Sequence, residues 1–270
     1  MTDTIDAGLA WQVGVWDRMA DVYQREIDRR FAPVIERLLD RADLRPGETV
    51  LDLGTGTGSV AIMAASGIGP TGRIVAVDIS HEMLDKARAR IGVSSSARFE
   101  FVEGRAEAIP VPAASIDVVL ASLSLMYVID REAGTREIAR VLRPGGRLVA
   151  AAWAGPEECD IVRFQQTAGS FAPTPPVPGV GPGALADPGP FLAQLSAAGL
   201  TASCETTVTT FQFSNFADAW TALAGVTTAA LDPSIQDQAK AAVMDRMWTE
   251  PQSPREFRNA TRLIVARKPG

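Results

Sequence analysis

The stretch that decides the fold is TVLDLGTGTG, residues 49–58. Its first half is mostly apolar, which is typical of a short strand buried on both faces of a sheet. Its second half contains Gly54, Gly56 and Gly58, which let the backbone adopt positive φ angles and approach a ligand closely. In open α/β sheets, ligands bind beyond the carboxyl ends of the strands. We therefore predict a buried strand that leads into a ligand-binding loop.

Strands and helices alternate on the C-terminal side of this stretch. The sequence predicts further strands over residues 73–78, 98–102, 116–122 and 147–153. Between them it predicts helices over residues 59–66, from the N-cap residue Ser80 onward, and over residues 131–142. Such alternation indicates right-handed crossovers and an α/β fold with a doubly wound, mostly parallel sheet.

The two ends of the chain are predicted to add helices and two more strands. Apolar spacing predicts helices over residues 12–43, with Pro33 in the first turn of the second helix. After residue 153 we predict, in order, a Pro- and Gly-rich loop over 173–190, a short helix over 190–198, a strand over 202–213, a helical insertion over 214–248 and a strand over 257–265. We expect the last strand to be antiparallel, at or near the edge of the sheet.

Composition and charge exclude several kinds of partner. The chain has a formal net charge of −6 and no cluster of Lys or Arg, so we expect it to bind neither nucleic acid nor an anionic membrane surface. No apolar stretch approaches the length of a membrane span, and residues 1–11 lack the basic start of a secretory signal. Cys159 and Cys204 stand in no metal or redox spacing, so we expect reduced cysteines and a cytoplasmic protein.

A carboxylate at the end of the second strand indicates the kind of ligand. Asp78 follows the glycine loop by the spacing at which an acid accepts hydrogen bonds from ribose hydroxyls. The loop and Asp78 together predict a ligand that contains adenosine. Residues 56–61 also satisfy the looser dinucleotide pattern, which leaves a nicotinamide cofactor as an alternative. A P-loop is excluded because no Gly-Lys-Ser/Thr follows the strand.

A second carboxylate, Asp52, lies within the first strand just before the loop. It would repel the pyrophosphate of a dinucleotide, and it suits a cationic ligand such as S-adenosylmethionine, which carries a sulfonium and an ammonium group. The other interpretation, a carboxylate that holds the loop through its amides, is equally compatible with the sequence. Asp52 therefore favours S-adenosylmethionine without deciding how the carboxylate acts.

Five motifs, taken in order, resemble those of class I S-adenosylmethionine-dependent methyltransferases. They are residues 50–58, 76–80, 103–110, 115–119 and 140–147, and the resemblance covers residues 45–153. The most similar branch contains the ubiquinone/menaquinone C-methyltransferases. Residues 16–23 also resemble the first helix of that branch. The family implies a seven-stranded Rossmann-like sheet with N-terminal helices and a helical insertion before the last strand. We expect one domain over 1–270, with N-terminal helices (1–44), a cofactor-binding core (45–153) and an acceptor-side region (154–270).

The resemblance also implies a site for S-adenosylmethionine. Its residues would be Tyr23, Gly54, Thr55, Gly56, Thr57, Asp78, Ile79, Arg105, Ala106 and Ser122. The loop residues would line the methionine and ribose portions, while Asp78 would hold the ribose diol and Ile79 would pack on the adenine. The Ala106 amide would donate to an adenine nitrogen, Ser122 would lie beside the methionine part and the acceptor, and Tyr23 would close over the cofactor.

One position departs from the family pattern. Arg105 stands where the family usually has an acid, and a guanidinium group cannot accept a hydrogen bond from the adenine amino group. We expect Arg105 to stack on the adenine, while Glu107 or a backbone carbonyl replaces the missing acceptor.

Methyl transfer from a sulfonium requires mainly positioning and exclusion of water, and a base is needed only when the nucleophile must lose a proton. The single histidine, His81, is expected to be a solvated residue at a helix start. Four residues near the ends of the fourth and fifth strands are candidate bases, Tyr127, Asp130, Glu158 and Asp160, and none stands out, so the catalytic residue is unassigned. The sequence shows no metal-ligand cluster, and we expect no metal.

Aromatic and methionine side chains outside the motifs give the acceptor hypothesis. They are Trp11, Trp16, Phe213, Phe216, Trp220, Met244, Met247 and Trp248. Ordinary packing explains their helical spacing, and the other interpretation is an apolar lid over a small aromatic or quinone-like acceptor. The main hypothesis is therefore methylation of a small molecule at carbon or oxygen. The alternatives are a protein that binds S-adenosylmethionine without transferring methyl, as a cyclase or binding module, and an NAD(P)-dependent oxidoreductase.

Overall fold

The computed structural model describes residues 2–91 and 97–270. Seven strands form one sheet: β1 (Thr49–Leu53), β2 (Arg73–Asp78), β3 (Arg98–Glu103), β4 (Ile116–Ser122), β5 (Leu142–Trp153), β6 (Thr201–Phe213) and β7 (Arg255–Arg267). Their spatial order is β3-β2-β1-β4-β5-β7-β6. Strands β1 to β5 are parallel, whereas β7 runs antiparallel to both β5 and β6. The order of strands reverses between β1 and β4, which places a ligand cleft at the carboxyl end of β1.

Helices cover both faces of this sheet, as the sequence predicted for a doubly wound fold. They are α1 (Thr2–Val22), α2 (Asp28–Ala42), α3 (Ser59–Ile68), α4 (His81–Ile91), α5 (Arg131–Val141), α6 (Asp160–Gly169), α7 (Gly189–Ala197), α8 (Phe216–Leu223), α9 (Gly225–Thr228) and α10 (Pro233–Met247). The predicted N-cap is confirmed, because the Ser80 Oγ accepts a hydrogen bond of 3.1 Å from the Met83 amide. The predicted fold class is therefore confirmed.

The central strands are buried on both faces, which makes the sheet a rigid support for the loops at its carboxyl end. Val50 and Leu51 of β1, Val75 of β2 and Val119 and Leu120 of β4 are completely shielded from solvent. Strands flanked by helices on both sides require apolar residues at successive positions, which explains the near-continuous apolar runs in the sequence.

The N-terminal helices differ from the prediction at Pro33. This residue lies inside α2 and does not begin the helix, because a π-helical turn at Tyr23–Ile27 joins α1 to α2 without a break. Buried residues Phe31 and Val34 stand on either side of the proline and pack on the sheet. Packing of this apolar face therefore keeps the helical path through Pro33 despite its missing N–H.

Helix α6 was not predicted, because its start is rich in β-branched residues that favour strands. Its Phe164 is completely buried and belongs to an aromatic cluster with residues of the insertion and the last strands. The cluster consists of Phe164, Phe213, Phe216, Trp220, Trp248 and Phe257. Ordinary packing therefore explains most of the aromatic residues that were candidates for an apolar lid over the acceptor.

Among the described helices, none combines the length and apolar character needed to cross a membrane.

A buried ion pair joins the end of α2 to the start of β1 and to β5. The Arg147 guanidinium donates to both Glu48 carboxylate oxygens at 2.8 and 2.9 Å, and to the carbonyls of Ala42 and Asp43 at 2.5 and 2.8 Å. Both charged side chains are almost fully shielded from solvent. Removing one partner would leave the other charge buried and unpaired.

We expect Glu48→Ala to lower the free energy of unfolding by about 3 kcal/mol for this reason. Glu205→Ala is the matched control, because it breaks the exposed ion pair between Arg41 and Glu205 and should cost less than about 1 kcal/mol. Urea unfolding of both variants measures the difference. Equal losses of stability in the two variants would contradict this role of Arg147.

Candidate functional site

The glycine loop after β1 is held by backbone hydrogen bonds to the neighbouring strand. The amides of Gly54 and Thr55 both donate to the Val77 carbonyl of β2, at 2.8 and 2.9 Å. Gly54 and Gly56 have φ angles of +76° and +54°, which lie in the left-handed region that favours glycine. A side chain at Gly54 would collide with Ser124, whereas the position of a side chain at Gly56 is open space. The loop therefore leaves room for a ligand beside Gly56.

Asp52 is buried beneath this loop. Its Oδ2 accepts a hydrogen bond of 2.7 Å from the Thr55 hydroxyl, while its Oδ1 is a buried atom without a hydrogen-bond partner in the described part of the chain. Burial raises the pKa of this carboxyl to about 7, and the Thr55 hydrogen bond opposes the shift. Asp52 does not line the cleft, and it holds the loop through the Thr55 hydroxyl, whereas the second interpretation had expected the loop amides. A cation above the loop would favour the charged form.

Asp78 lies at the end of β2 with its carboxylate at the cleft. Its Oδ2 accepts from the Gly56 amide at 2.8 Å, and its Oδ1 accepts from the Ser80 amide at 3.0 Å. Burial raises the pKa of this carboxyl, and the amides of Ser80 and Gly56 oppose the shift. The acid thus stands where the sequence predicted a partner for ribose hydroxyls, next to the open side of the glycine loop.

A cleft with a cavity volume of about 120 Å³ opens beyond the carboxyl ends of β1, β2 and β4. Eight of the ten predicted cofactor residues line it, namely Tyr23, Gly54, Gly56, Asp78, Ile79, Arg105, Ala106 and Ser122. The structure therefore brings together residues from β1, β2, β4 and the π-helical turn at the place that the motifs indicated.

The other two predicted residues, Thr55 and Thr57, have buried side chains behind the loop. The Thr57 hydroxyl donates to the Asp28 carboxylate at 2.7 Å, just as the Thr55 hydroxyl donates to Asp52. Their side chains hold the loop in place. The prediction that either residue contacts a cofactor therefore concerns its backbone atoms.

At the predicted adenine end, Arg105 is exposed and Ala106 is buried. Glu107 also lines the cleft, and its Oε1 accepts hydrogen bonds from the amides of Ile129 and Asp130 at 3.1 and 3.2 Å. These bonds orient the Glu107 carboxylate. It is one of the two hydrogen-bond acceptors that the sequence suggested in place of the acid missing at position 105.

Helix α1 covers one side of the cleft. The sequence indicated only Trp16 on this helix and Tyr23 just after it. Leu9, Gln12 and Trp16 line the cleft, and their spacing places them on one face of the helix. The Gln12 amide donates to the Tyr127 carbonyl at 2.5 Å. Asp17 accepts a hydrogen bond of 2.6 Å from the Ser80 hydroxyl. The helix is thus bonded both to the turn after β4 and to the start of α4, beside Asp78.

The turn after β4 forms the opposite side of the cleft. Leu123 has a φ angle of +57°, a conformation that costs a branched residue energy and is common at functional sites. The short helix Leu125–Tyr127 follows, and the Arg131 guanidinium donates to the carbonyls of Met126 and Gly179. Gly179 lies in the Pro- and Gly-rich segment, which therefore supports this side of the cleft and is not plain surface.

Most of the candidate bases are engaged elsewhere. Asp130 caps α5, Glu158 pairs with Arg262, and Asp160 accepts from the Arg258 amide; none of these three lines the cleft. His81 has an exposed side chain at the start of α4, as expected from the sequence. Among the described residues no group of side chains is arranged to hold a metal ion.

The two tyrosines of the chain, Tyr23 and Tyr127, both line the cleft. The Trp16 ring lies edge-on to both, with centroid distances of 6.4 Å to Tyr23 and 4.8 Å to Tyr127. Burial raises the pKa of both hydroxyls, and for Tyr23 the Asp28 carboxylate and other neighbouring charges add to the shift. Both tyrosines are therefore hydrogen-bond donors at neutral pH and unsuited to act as bases.

Comparison with known proteins agrees with this site. Residues 51–150, which include the glycine loop, Asp78 and Ser122, match a family model described as a methyltransferase domain. Nocamycin O-methyltransferase of Saccharothrix syringae is 38% identical over 134 residues, which are 50% of this chain and 48% of that protein. The ubiquinone/menaquinone biosynthesis C-methyltransferase UbiE of Enterobacter sp. (strain 638) is 37% identical over 119 residues, 44% of this chain and 47% of that protein. The matches thus span about half the length of these relatives.

Two solved structures share the fold over most of the chain. The YcgJ protein of a Bacillus species has a TM-score of 0.64 at 22% identity and covers 87% of this chain and 98% of its own. The [4+2]-cyclase SpnF has a TM-score of 0.55 at 23% identity and covers 88% of this chain and 81% of its own. At these identities the likeness concerns the fold alone.

Residues 51–150 therefore match a methyltransferase domain, in agreement with the five motifs that resemble class I S-adenosylmethionine-dependent methyltransferases. The relatives include both an O-methyltransferase and C-methyltransferases of the ubiquinone/menaquinone branch. The predicted family is confirmed, and the predicted cofactor is the one that the family uses.

The collision at Gly54 gives a test of the loop. Gly54→Ala places a methyl group 2.4 Å from the Ser124 Cβ, whereas Gly56→Ala meets no atom within 4 Å. Both glycines have positive φ, so backbone strain is shared and only the collision differs. We expect Gly54→Ala to lower the free energy of unfolding by about 1–3 kcal/mol more than Gly56→Ala does. Equal urea midpoints for the two variants would show that the loop can move away from Ser124.

The raised pKa of the tyrosines gives a second test. In urea, half of the tyrosine should be ionised near pH 10.0, the ordinary value, whereas the folded protein should show almost no tyrosinate absorbance at that pH. The tyrosine hydroxyls have a higher pKa in the folded protein than in the unfolded chain. Their contribution to the free energy of unfolding is therefore complete below the ordinary pKa and is lost as the pH rises through the folded pKa. Half-ionisation at pH 10 in the folded protein would contradict burial of both hydroxyls.

Proposed function

We propose that this protein binds S-adenosylmethionine in the cleft and transfers its methyl group to a small hydrophobic acceptor. The observation that carries the proposal is the meeting of Asp78, the open loop at Gly56 and Ser122 in one cleft of a methyltransferase domain. The buried Asp52 beneath the loop, whose Oδ1 lacks a partner among the described residues, adds support, because a sulfonium above the loop would favour its charged form.

The residues of the cleft would divide the cofactor between them. Asp78 would accept from the ribose hydroxyls, while Ile79 and Ala106 would enclose the adenine. The loop at Gly54 and Gly56 would support the methionine part, and Ser122 would face the reacting end. When bound, the cofactor supplies a methyl group activated by its positive sulfur, so this chain has to orient the acceptor and exclude water.

Helix α1 and the turn after β4 would hold the acceptor. Leu9 and Trp16 present apolar surface from one side, and Leu125 and Val128 present it from the other. The apolar lining supports an aromatic or quinone-like acceptor. Exclusion of water would depend on α1 staying closed, which its bonds from Gln12 to Tyr127 and from Ser80 to Asp17 favour.

A second function for the same cleft is binding of S-adenosylmethionine without methyl transfer. The [4+2]-cyclase SpnF has the same fold, and the cofactor part of the cleft would be identical in both cases. Incubation with S-adenosylmethionine and a panel of phenols and quinones separates the two functions. A methylated product supports the methyltransferase, and consumption of an acceptor without methylation supports the second function.

Calorimetric titration with S-adenosylhomocysteine tests the cofactor site directly. We expect one site, and we expect Asp78→Asn to weaken binding by about tenfold or more because it removes charged hydrogen bonds to the ribose. Asp85→Asn is the control, since this carboxylate lies exposed on α4 and outside the cleft.

Titration with NADH examines the oxidoreductase alternative. We expect no binding, because Asp52 beneath the loop would repel a pyrophosphate. Binding of NADH together with no binding of S-adenosylhomocysteine would overturn the proposed function.

A further inference from the structure

The part of the cleft that is left for the acceptor contains no usable base. Only three described residues of the lining carry a charge, Asp78, Arg105 and Glu107, and all three are predicted to serve the cofactor. Backbone amides of Ile129 and Asp130 also bind the Glu107 carboxylate. Asp130, Glu158 and Asp160 lie outside the lining. A phenol of ordinary pKa, about 10, is mostly protonated at neutral pH and would need such a base. An acceptor whose oxygen is already ionised would need no such base.

Two hydroxyl donors stand together in this part of the cleft. Tyr23 comes from the π-helical turn and Tyr127 from the turn after β4, and both line the cleft. Trp16 packs edge-on against both rings and keeps them in place. Two O–H donors that line the same largely apolar cleft are suitable partners for an anionic oxygen.

No cation of the protein lines the same region. Arg105 is the cleft's one positively charged residue in the described part of the chain, and it lies at the predicted adenine end. The positive charge nearest to an anionic acceptor would then be the sulfonium itself. This arrangement links recognition of the acceptor to the charge of the cofactor.

We propose that the acceptor is a planar molecule with an acidic phenol or enol group, bound as its anion, and that the hydroxyls of Tyr23 and Tyr127 hold the anionic oxygen for O-methylation. This inference rests on the proposed function and names the acceptor class for the same cleft. An oxygen electron pair forms the new bond to the methyl carbon, and the broken sulfur–carbon bond leaves its electron pair on sulfur. The negative and positive charges cancel, so no proton has to move.

Oxygen is favoured over carbon by the same lack of a base. Methylation of a ring carbon leaves a proton on that carbon, and the proton has to be removed before the aromatic or enol system is restored. Tyr23 and Tyr127 are protonated and cannot take it, while Glu107 is bound by two amides. Attack by oxygen needs no such step.

Binding of a matched pair of probes tests this inference. The probes are 2-hydroxy-1,4-naphthoquinone, an acidic enol that is ionised at neutral pH, and its uncharged methyl ether. Each is titrated into the protein saturated with sinefungin, a cofactor analogue that carries a cationic amine near the methyl position, or with S-adenosylhomocysteine, whose sulfur is uncharged. We expect the enolate to bind about tenfold more tightly to the sinefungin complex, and the ether to bind both complexes equally.

Variants then test the tyrosines. Tyr127→Phe and Tyr23→Phe should each weaken enolate binding about tenfold, which is the size of one hydrogen bond to a charged group, and should leave binding of the ether unchanged. Unchanged ether binding also shows that the variant is folded. Trp11→Phe on α1 is the control, because Trp11 is exposed and does not line the cleft.

The outcomes separate this inference from the proposed function. Failure to bind S-adenosylhomocysteine would overturn the proposed function. If S-adenosylhomocysteine binds normally, any one of three results overturns only the acceptor class. The enolate does not bind, it shows no preference for the sinefungin complex, or its binding is unaffected by the tyrosine variants. With S-adenosylmethionine, the methyl ether is the expected product, and a C-methylated naphthoquinone would contradict O-methylation.

Discussion

The rest of the site depends on the way one carbonyl holds the glycine loop. Val77, at the end of β2, accepts from the amides of Gly54 and Thr55, so the loop after β1 is bonded to the strand that carries Asp78. On its other side Gly54 packs against Ser124, which follows β4. The loop thus sets the distance between the ends of three strands. Because glycine is the residue that fits this turn, the spacing of cofactor and acceptor groups is built into the backbone.

The features that the sequence could predict are those controlled by neighbouring residues. The buried strands, the glycine loop, the Ser80 cap and the position of Asp78 all follow from short patterns with a physical meaning. Features that depend on distant partners were missed. The hydroxyl of Thr57 turns away from the cleft because Asp28, 29 residues earlier, accepts its hydrogen bond. Likewise, Gln12 shows its role only when it meets Tyr127 across 115 residues.

The N-terminal helices are attached to the core by polar contacts at the cleft. Asp28 of α2 binds both Thr57 of the loop and Arg90 of α4, and Asp17 of α1 binds the Ser80 hydroxyl beside Asp78. The same elements therefore support the cofactor loop and cover the acceptor. Such an arrangement makes the two halves of the site interdependent, and it explains why Tyr23, in the π-helical turn between the two helices, faces both.

The position of β7 has a consequence for how the chain is made. Of the seven strands of the described sheet, this one is the last to leave the ribosome, yet it lies between β5 and β6 and pairs with both. Until it arrives, each of these two strands presents an open row of backbone donors and acceptors, which is the kind of edge that joins other chains. Synthesis has to reach Arg267 before either strand is fully protected, so both strands keep an open edge until the last strand of this sheet has been made.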